Sequence, residues 1–335
     1  MTKLVKRPRS AVAPLETSTK AFVDHQRVFG RRYYSEDWIL KALCRFVAQH
    51  GATDLSASVF EAWSRAQRRL SPNTLRYRQR VVRKFCLFRR RVDPRCFVPD
   101  PLGFVRPRPH RRPLLLTSDD VSNLLRAADE VSPTKSCALK PAALRLAIVL
   151  FYTAGLRRSE LVRLLLSDVN NNEGVLHIRE SKFHRSRWVP LSPDARQEVR
   201  RYLRLRLQEP YDQRPTAALL CNSSRVWGHT GWHAFCPTWF DHAFQLLFER
   251  ARVIDFQGRR PRLHDIRHSF AVEALCRCYR DGGDVQTLLP KLALYMGHVS
   301  IVSTAHYLHF IPETAGLASE RFGRRFAHLL DCGEL

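Results

Sequence analysis

Prolines stand at positions 94, 99, 101, 107, 109 and 113 of this 335-residue chain. Proline fixes φ and lacks a backbone N–H, so neither a helix interior nor a central strand can run through such a stretch. The chain is therefore expected to fold as two blocks, and 335 residues leave each long enough to bury a core. We expect a first domain over residues 15–100, a stiff and extended linker over 101–113, and a second domain over 114–335.

Charge narrows the class of partner. Lys and Arg total 56 against 31 Asp and Glu, a formal net charge of +25. Such an excess binds phosphates through counterion release, which points to nucleic acid before membrane. A hydrophobic content of 44% supports packed cores and excludes a disordered basic tail protein. No run of 18 or more apolar residues occurs, so neither a membrane span nor a membrane partner is expected. The basic N-terminus MTKLVKRPRSAVAPLETSTK has no apolar stretch of signal-peptide length. The 9 cysteines are odd in number and scattered, without a CxxC pair. They fit a reduced, cytoplasmic protein with buried thiols, and indicate neither a disulfide framework nor a Cys-based zinc site.

The charge is also uneven. Residues 1–112 hold 26 basic and 8 acidic side chains, and residues 113–335 hold 30 and 23. In the first part, 35–50 and 72–91 read as amphipathic helices. Trp38, Leu40, Leu43, Phe46 and Val47 mark one apolar stripe, and Leu75, Val81, Val82, Phe85 and Phe88 the other. A solvated helical face accounts for any one arginine as well as a phosphate contact does. The second domain opens with Thr117 or Ser118 capping a helix, then an apolar helix over 141–154 stopped at Gly155. Runs 175–179 and 187–191 make a hairpin around a polar turn. The rest reads as mostly helical, with a loop-like region around 223–237.

Four local patterns could carry chemistry, each weak alone. In TAGLRRSEL, Gly155 ends one helix and Arg157 stands where the next begins, a good place for an anion. Lys182, in the turn of the basic hairpin, could reach a phosphate and donate a proton, or be a solvated turn residue. With 47 Arg and only 9 Lys in the chain, a lysine there is the more informative of the two basic types. His264 and Arg267, three apart, share a helix face; His268 lies on another and reads as packing. His298 follows Gly297 nine residues before Tyr307, about 13 Å along a straight helix, so a bend is needed to bring them together. No HExxH or carboxylate cluster occurs, and His229 and His233 lack a third ligand, so no metal and no cofactor is assigned.

Donors, cations and one tyrosine are what attack on a phosphodiester by a phenolate requires. The strings AGLRRSEL, the hairpin lysine followed by RWVPL, LHDIRHSFA and MGHVSIVSTAHY resemble, in order, those of the tyrosine recombinase (phage integrase) family, over essentially the whole chain. The resemblance implies an all-α SAM-like core-binding domain, then a mixed α+β, mostly helical catalytic domain with a small antiparallel sheet. It implies that Arg157 and Arg267 clamp phosphate, Lys182 is the general acid, His264 and His298 flank the phosphate, Tyr307 is the nucleophile and Glu160 buttresses the site. Expected partners are double-stranded DNA, three further copies in a tetramer, and companion recombinases, in a nucleoid-associated setting. The stretch between Arg267 and His298 is longer than is usual and is similar to that of transposon-borne recombinases, including those that occur in groups. Only about 30 residues precede the first clear helix, which argues against a separate arm-site domain. The C-terminal stripe Leu317, Phe322, Phe326, Leu329 and Leu330 could dock on a neighbouring protomer or on its own domain. A DNA-relaxing topoisomerase and a cleavage-silent DNA-binding homologue are the competing readings.

Overall fold

A computed structural model describes residues 14–109, 111–179, 186–226, 229–255, 257–298, 302–305 and 307. The expected hairpin turn with Lys182 and the C-terminal stripe lie outside the described residues. The chain divides into two compact units, Met1–Arg111 and Arg112–Leu335.

Among the described residues of the first unit the regular structure is helical: α1 (Leu15–Val28), α2 (Tyr34–Gln49), α3 (Ala57–Ala66) and α4 (Pro72–Arg90). Local chemistry sets the starts of the last two. Ser56 accepts from the Val59 N–H, Ser71 accepts from the Thr74 N–H, and Pro72 occupies the first turn of α4. Phe22, Leu40, Leu43, Trp63, Val82 and Phe85 fill the core. Each such side chain, fully buried, contributes about 1.5–3 kcal/mol. The sequence reading missed α1, so the first helix begins at Leu15, and the stripe on α2 is rotated from the expected one. Ile39 faces the core, while Trp38 is 53% exposed under the Arg78 guanidinium, 4.9 Å from its ring.

The proline-rich segment is not extended throughout, since Pro101–Gly103 forms a turn of 3-10 helix capped by Asp100; residues 105–109 run extended along α4. Asn73 exchanges two hydrogen bonds with the Arg108 backbone, and Arg76 and Gln79 bind the Val105 carbonyl and N–H. Phe104 enters the core beside Phe60. Two arginines of α4 are thus structural: Arg76 here, and buried Arg89, which grips Asp54 with two bonds of 2.7 and 2.8 Å. Arg80, Lys84, Arg90 and Arg91 remain exposed.

The second unit is mostly helical with a small antiparallel sheet. Its helices are α5 (Ser118–Asp129), α6 (Lys140–Thr153), α7 (Arg158–Arg163), α8 (Pro193–Arg206), α9 (Pro237–Arg250), α10 (Leu263–Arg280), α11 (Val285–Met296) and α12 (Val302–Ala305). Strands β1 (Val169–Asn170), β2 (Val175–Ile178) and β3 (Arg187–Pro190) form one antiparallel sheet in that order. A second pair, β4 (Cys221–Val226) and β5 (His229–Ala234), forms a hairpin where the sequence reading expected a loop. The runs CNSSRV and HTGWHA lack the apolar alternation that marks a half-buried strand.

Helix α6 is apolar on nearly every side because it is the central helix, with Leu144, Leu146, Ile148, Leu150 and Phe151 packed among residues of α5, α8 and α9. A smaller cluster joins α10, α11 and Tyr307. The long stretch after Arg267 is taken up by the remainder of α10, a turn at Gly282–Gly283 and the whole of α11. Among the described residues, no helix is long and apolar enough to cross a membrane.

Candidate active site

Two glycines with left-handed backbone shape this site. Gly155 (φ +57°) turns the chain from α6 toward α7, and a Cβ there would run into the Phe270 ring. Gly297 (φ +69°) ends α11, and a Cβ there would lie 2.8 Å from the Arg187 guanidinium. Both turns therefore let backbone carbonyls come close to arginines.

The centre of the site is a carboxylate. Glu160, in the first turn of α7, is buried and accepts from the Arg157 N–H (2.8 Å), Arg157 Nη1 (2.7 Å) and Arg187 Nη1 and Nη2 (2.9 and 3.0 Å). Arg267 Nη1 stands 3.9 Å away. Burial raises the Glu160 pKa, but the hydrogen bonds and charge of Arg187, joined by Arg157, outweigh it and hold the group at about 2.

The arginines are held in turn by backbone. Arg157 Nη2 donates to the Gly297 carbonyl (2.7 Å), and Arg187 Nε to the Tyr295 carbonyl (2.7 Å). Arg267, 1% exposed, donates to the carbonyls of Gly155 and Met296, and its Nη2 meets His298 Nε2 at 3.1 Å. Its Nε–H has no hydrogen-bond partner among the described residues. Burial, then the nearby Arg157 charge, lower Arg267 to about 10, so it stays cationic at neutral pH.

Tyr307 is buried beside these groups. Its ring lies near-parallel to that of His298 (6.1 Å between centroids) and edge-on to that of His268 (5.2 Å), which in turn meets His264 edge-on (4.7 Å). His298 and Tyr307 do meet, across a segment that includes the short α12. Burial raises the phenol's pKa, with Arg267 and Arg157 pulling it back. All three imidazoles are driven neutral: His264 to about 4 by desolvation and Arg267, His268 to about 4 by desolvation and His264, and His298 to about 3 by desolvation, Arg267 and Arg157.

The structure thus brings together Arg157, Glu160, His264, Arg267, His298 and Tyr307. Two contributors were missed in sequence. Arg187 begins β3 on the same side as buried Val189, and a cation on an inward register demands a carboxylate; that signal was available. Thr304, fully buried, binds His298 Nδ1 through its hydroxyl at 2.8 Å, a contact that depends on how the chain turns after Gly297. Among the described residues no group of three or more His, Cys, Asp or Glu side chains could hold a metal.

A mostly helical domain whose clustered arginines and histidines surround a buried tyrosine fits one family, and the phage integrase family matches residues 115–313; the chain belongs to it and is a tyrosine recombinase homologue. Its relatives include the integrase/recombinase homologue y4rB of Sinorhizobium fredii, 31% identical over 92% of this chain and 97% of that protein. The tyrosine recombinase XerD of Ralstonia nicotianae is 31% identical over 62% of this chain and 59% of its own. Among solved structures, the Tn1549 transposon integrase in complex with transposon right end DNA superposes with a TM-score of 0.60 at 16% identity, over 93% of this chain and 100% of that one. A lambda integrase dimer bound to a core site gives 0.57 at 14% identity, over 88% and 95%. These two likenesses show a shared fold.

Proposed function

We propose that this chain is a site-specific DNA recombinase that cuts and rejoins double-stranded DNA through a covalent 3′-phosphotyrosine, serving integration, excision or transposition of a mobile element. The observation that carries the reading is a buried tyrosine against Arg267, within a cluster of cations organised on one carboxylate. Arg157 and Arg267 bind the nonbridging oxygens, and their rigid mounting means that little reorganisation accompanies charge build-up. Tyr307 Oη attacks phosphorus, the P–O bond to the 5′ oxygen breaks, and Lys182 delivers the proton that the leaving oxygen needs. The neutral imidazole of His264 takes up or shares the phenolic proton. The 5′-hydroxyl of a partner strand then reverses the step, displacing Tyr307 and restoring a phosphodiester. No external energy source is required because the phosphotyrosyl bond retains the bond energy.

Residues 15–100 act as the core-binding domain and 114–335 as the catalytic domain. The Tn1549 and lambda integrases are bound to DNA in their structures, which supports DNA as the partner here. Four protomers on two duplexes, with or without companion recombinases, would exchange strands pairwise.

The test is a nicked suicide duplex built from inverted repeats flanking the gene. Wild-type protein should form a denaturant-resistant protein–DNA complex, and Tyr307→Phe should form none while still binding. Binding by the wild type without any covalent complex would sink the enzymatic reading in favour of a cleavage-silent DNA-binding homologue. A second expectation concerns the first unit, where Arg80, Lys84, Arg90 and Arg91 are exposed on or beside one helix. With six or more phosphate contacts, affinity should fall by about 10³ between 50 and 200 mM salt. An affinity that hardly moves with salt would remove that role.

A further inference from the structure

The two ring nitrogens of His298 are both engaged, and their partners differ in what they can do. A guanidinium only donates hydrogen bonds, whereas a hydroxyl can donate or accept. Arg267 Nη2 lies 3.1 Å from Nε2, so Nε2 must be the acceptor there and carry no proton. In a neutral imidazole the proton then resides on Nδ1, which is 2.8 Å from Thr304 Oγ1. Thr304 is 0% exposed, so its hydroxyl sits in the packed interior.

We propose that Thr304 is a positioning residue: its buried hydroxyl accepts from the Nδ1–H of His298 and so holds the ring with Nε2 facing Arg267 as a bare acceptor. For its catalytic consequence this rests on the recombinase reading above. Without the hydroxyl, the Nδ1–H would lack an acceptor, while a proton on Nε2 would oppose the guanidinium N–H, so neither tautomer holds the ring in this orientation. Arg267 would lose one of its three anchors, the others being the carbonyls of Gly155 and Met296. The Nε–H that it leaves unpartnered would then no longer be held in place for a phosphate oxygen. Thr304 also lies three residues before Tyr307, so one short segment sets both the histidine ring's orientation and the nucleophile's position.

Selective ¹⁵N labelling of histidine with long-range ¹H–¹⁵N correlation reads the tautomer directly, with His298→Gln identifying the signals. The DNA-free wild type should show Nδ1 protonated and Nε2 bare; finding the proton on Nε2 overturns the proposal with no variant needed. Thr304→Val should keep Nε2 bare but move the Nδ1–H signal upfield or lose it to exchange with water, and slow single-turnover cleavage of the suicide duplex by about tenfold, the effect of one lost buried hydrogen bond. Thr304→Ser should keep the wild-type pattern and stay within about threefold of its rate. An unchanged Nδ1–H signal in the valine variant, or equal loss in the serine variant, would overturn the role. If the wild type itself does not cleave, the recombinase reading fails, while the spectrum still decides what Thr304 does.

Discussion

Glu160→Gln should destabilise the second unit by about 3–5 kcal/mol, the range observed when one partner of a buried ion pair is removed. The substitution preserves volume, but it replaces an acceptor of four hydrogen bonds with an amide whose NH₂ faces guanidinium donors. The charges of Arg157, Arg187 and Arg267 would then repel one another with no anion between them. Arg187→Met should cost a similar amount, since it leaves the carboxylate buried beside a single close guanidinium. The double variant should be less damaging than the sum, by more than about 1 kcal/mol, because both changes remove the same contact. Urea-dependent hydrogen exchange of peptides covering 158–163 and 187–190 reports this unit separately from the first. A loss below about 1 kcal/mol in Glu160→Gln would mean that the carboxylate does not organise the cluster. Cleavage should fall in both single variants, since Arg157 loses its mooring in each.

The second unit should also lose stability on mild acidification, before any carboxylate in the site titrates. His268 and His298 titrate at about 4 and about 3 in the folded chain, below the value near 6.5 of an unfolded one. Above pH 6.5 both states hold the rings neutral, and this contribution to stability is fully present. As pH falls the unfolded chain binds protons that the folded chain refuses, so stability is lost progressively toward the folded values. Two protons taken up on unfolding give a slope of about 2–3 kcal/mol per pH unit between pH 6 and 5. His264 adds less, since it is exposed and its charge is better screened. Glu160, ionised down to about 2, is not the cause in this range. Urea midpoints between pH 7 and 5 test it: a flat profile refutes the claim, and His268→Gln should remove about half the slope.

How much of this was readable beforehand depends on the range of the interaction responsible. The Arg157–Glu160 and His264–Arg267 pairs are three residues apart on helices, so spacing alone predicts their neighbourhood. The extended course of residues 105–109 follows from proline's fixed φ, and α6 shows itself as buried because no polar stripe interrupts it. By contrast, CNSSRV and HTGWHA form a hairpin through cross-strand bonding that their side-chain pattern does not advertise. The rotation of α2 that exposes Trp38 depends on what α1 and α4 place against it. Arg76 looked like any other basic residue of a charged helix, yet it holds the strap that proline makes extended.

What the sequence determined by itself is the division at the prolines, the chemistry available in the second domain and the local pairs around Arg157 and Arg267, because these rest on backbone geometry and helical spacing. What only the tertiary structure decided is which cations meet the buried carboxylate and which groups meet the two ring nitrogens of His298. Arg187 reaches Glu160 across 27 residues, and Arg267 reaches His298 across 31. Contacts of that span form because the cores around α6 and α10 bring the two turns at Gly155 and Gly297 together, and no local rule encodes that meeting.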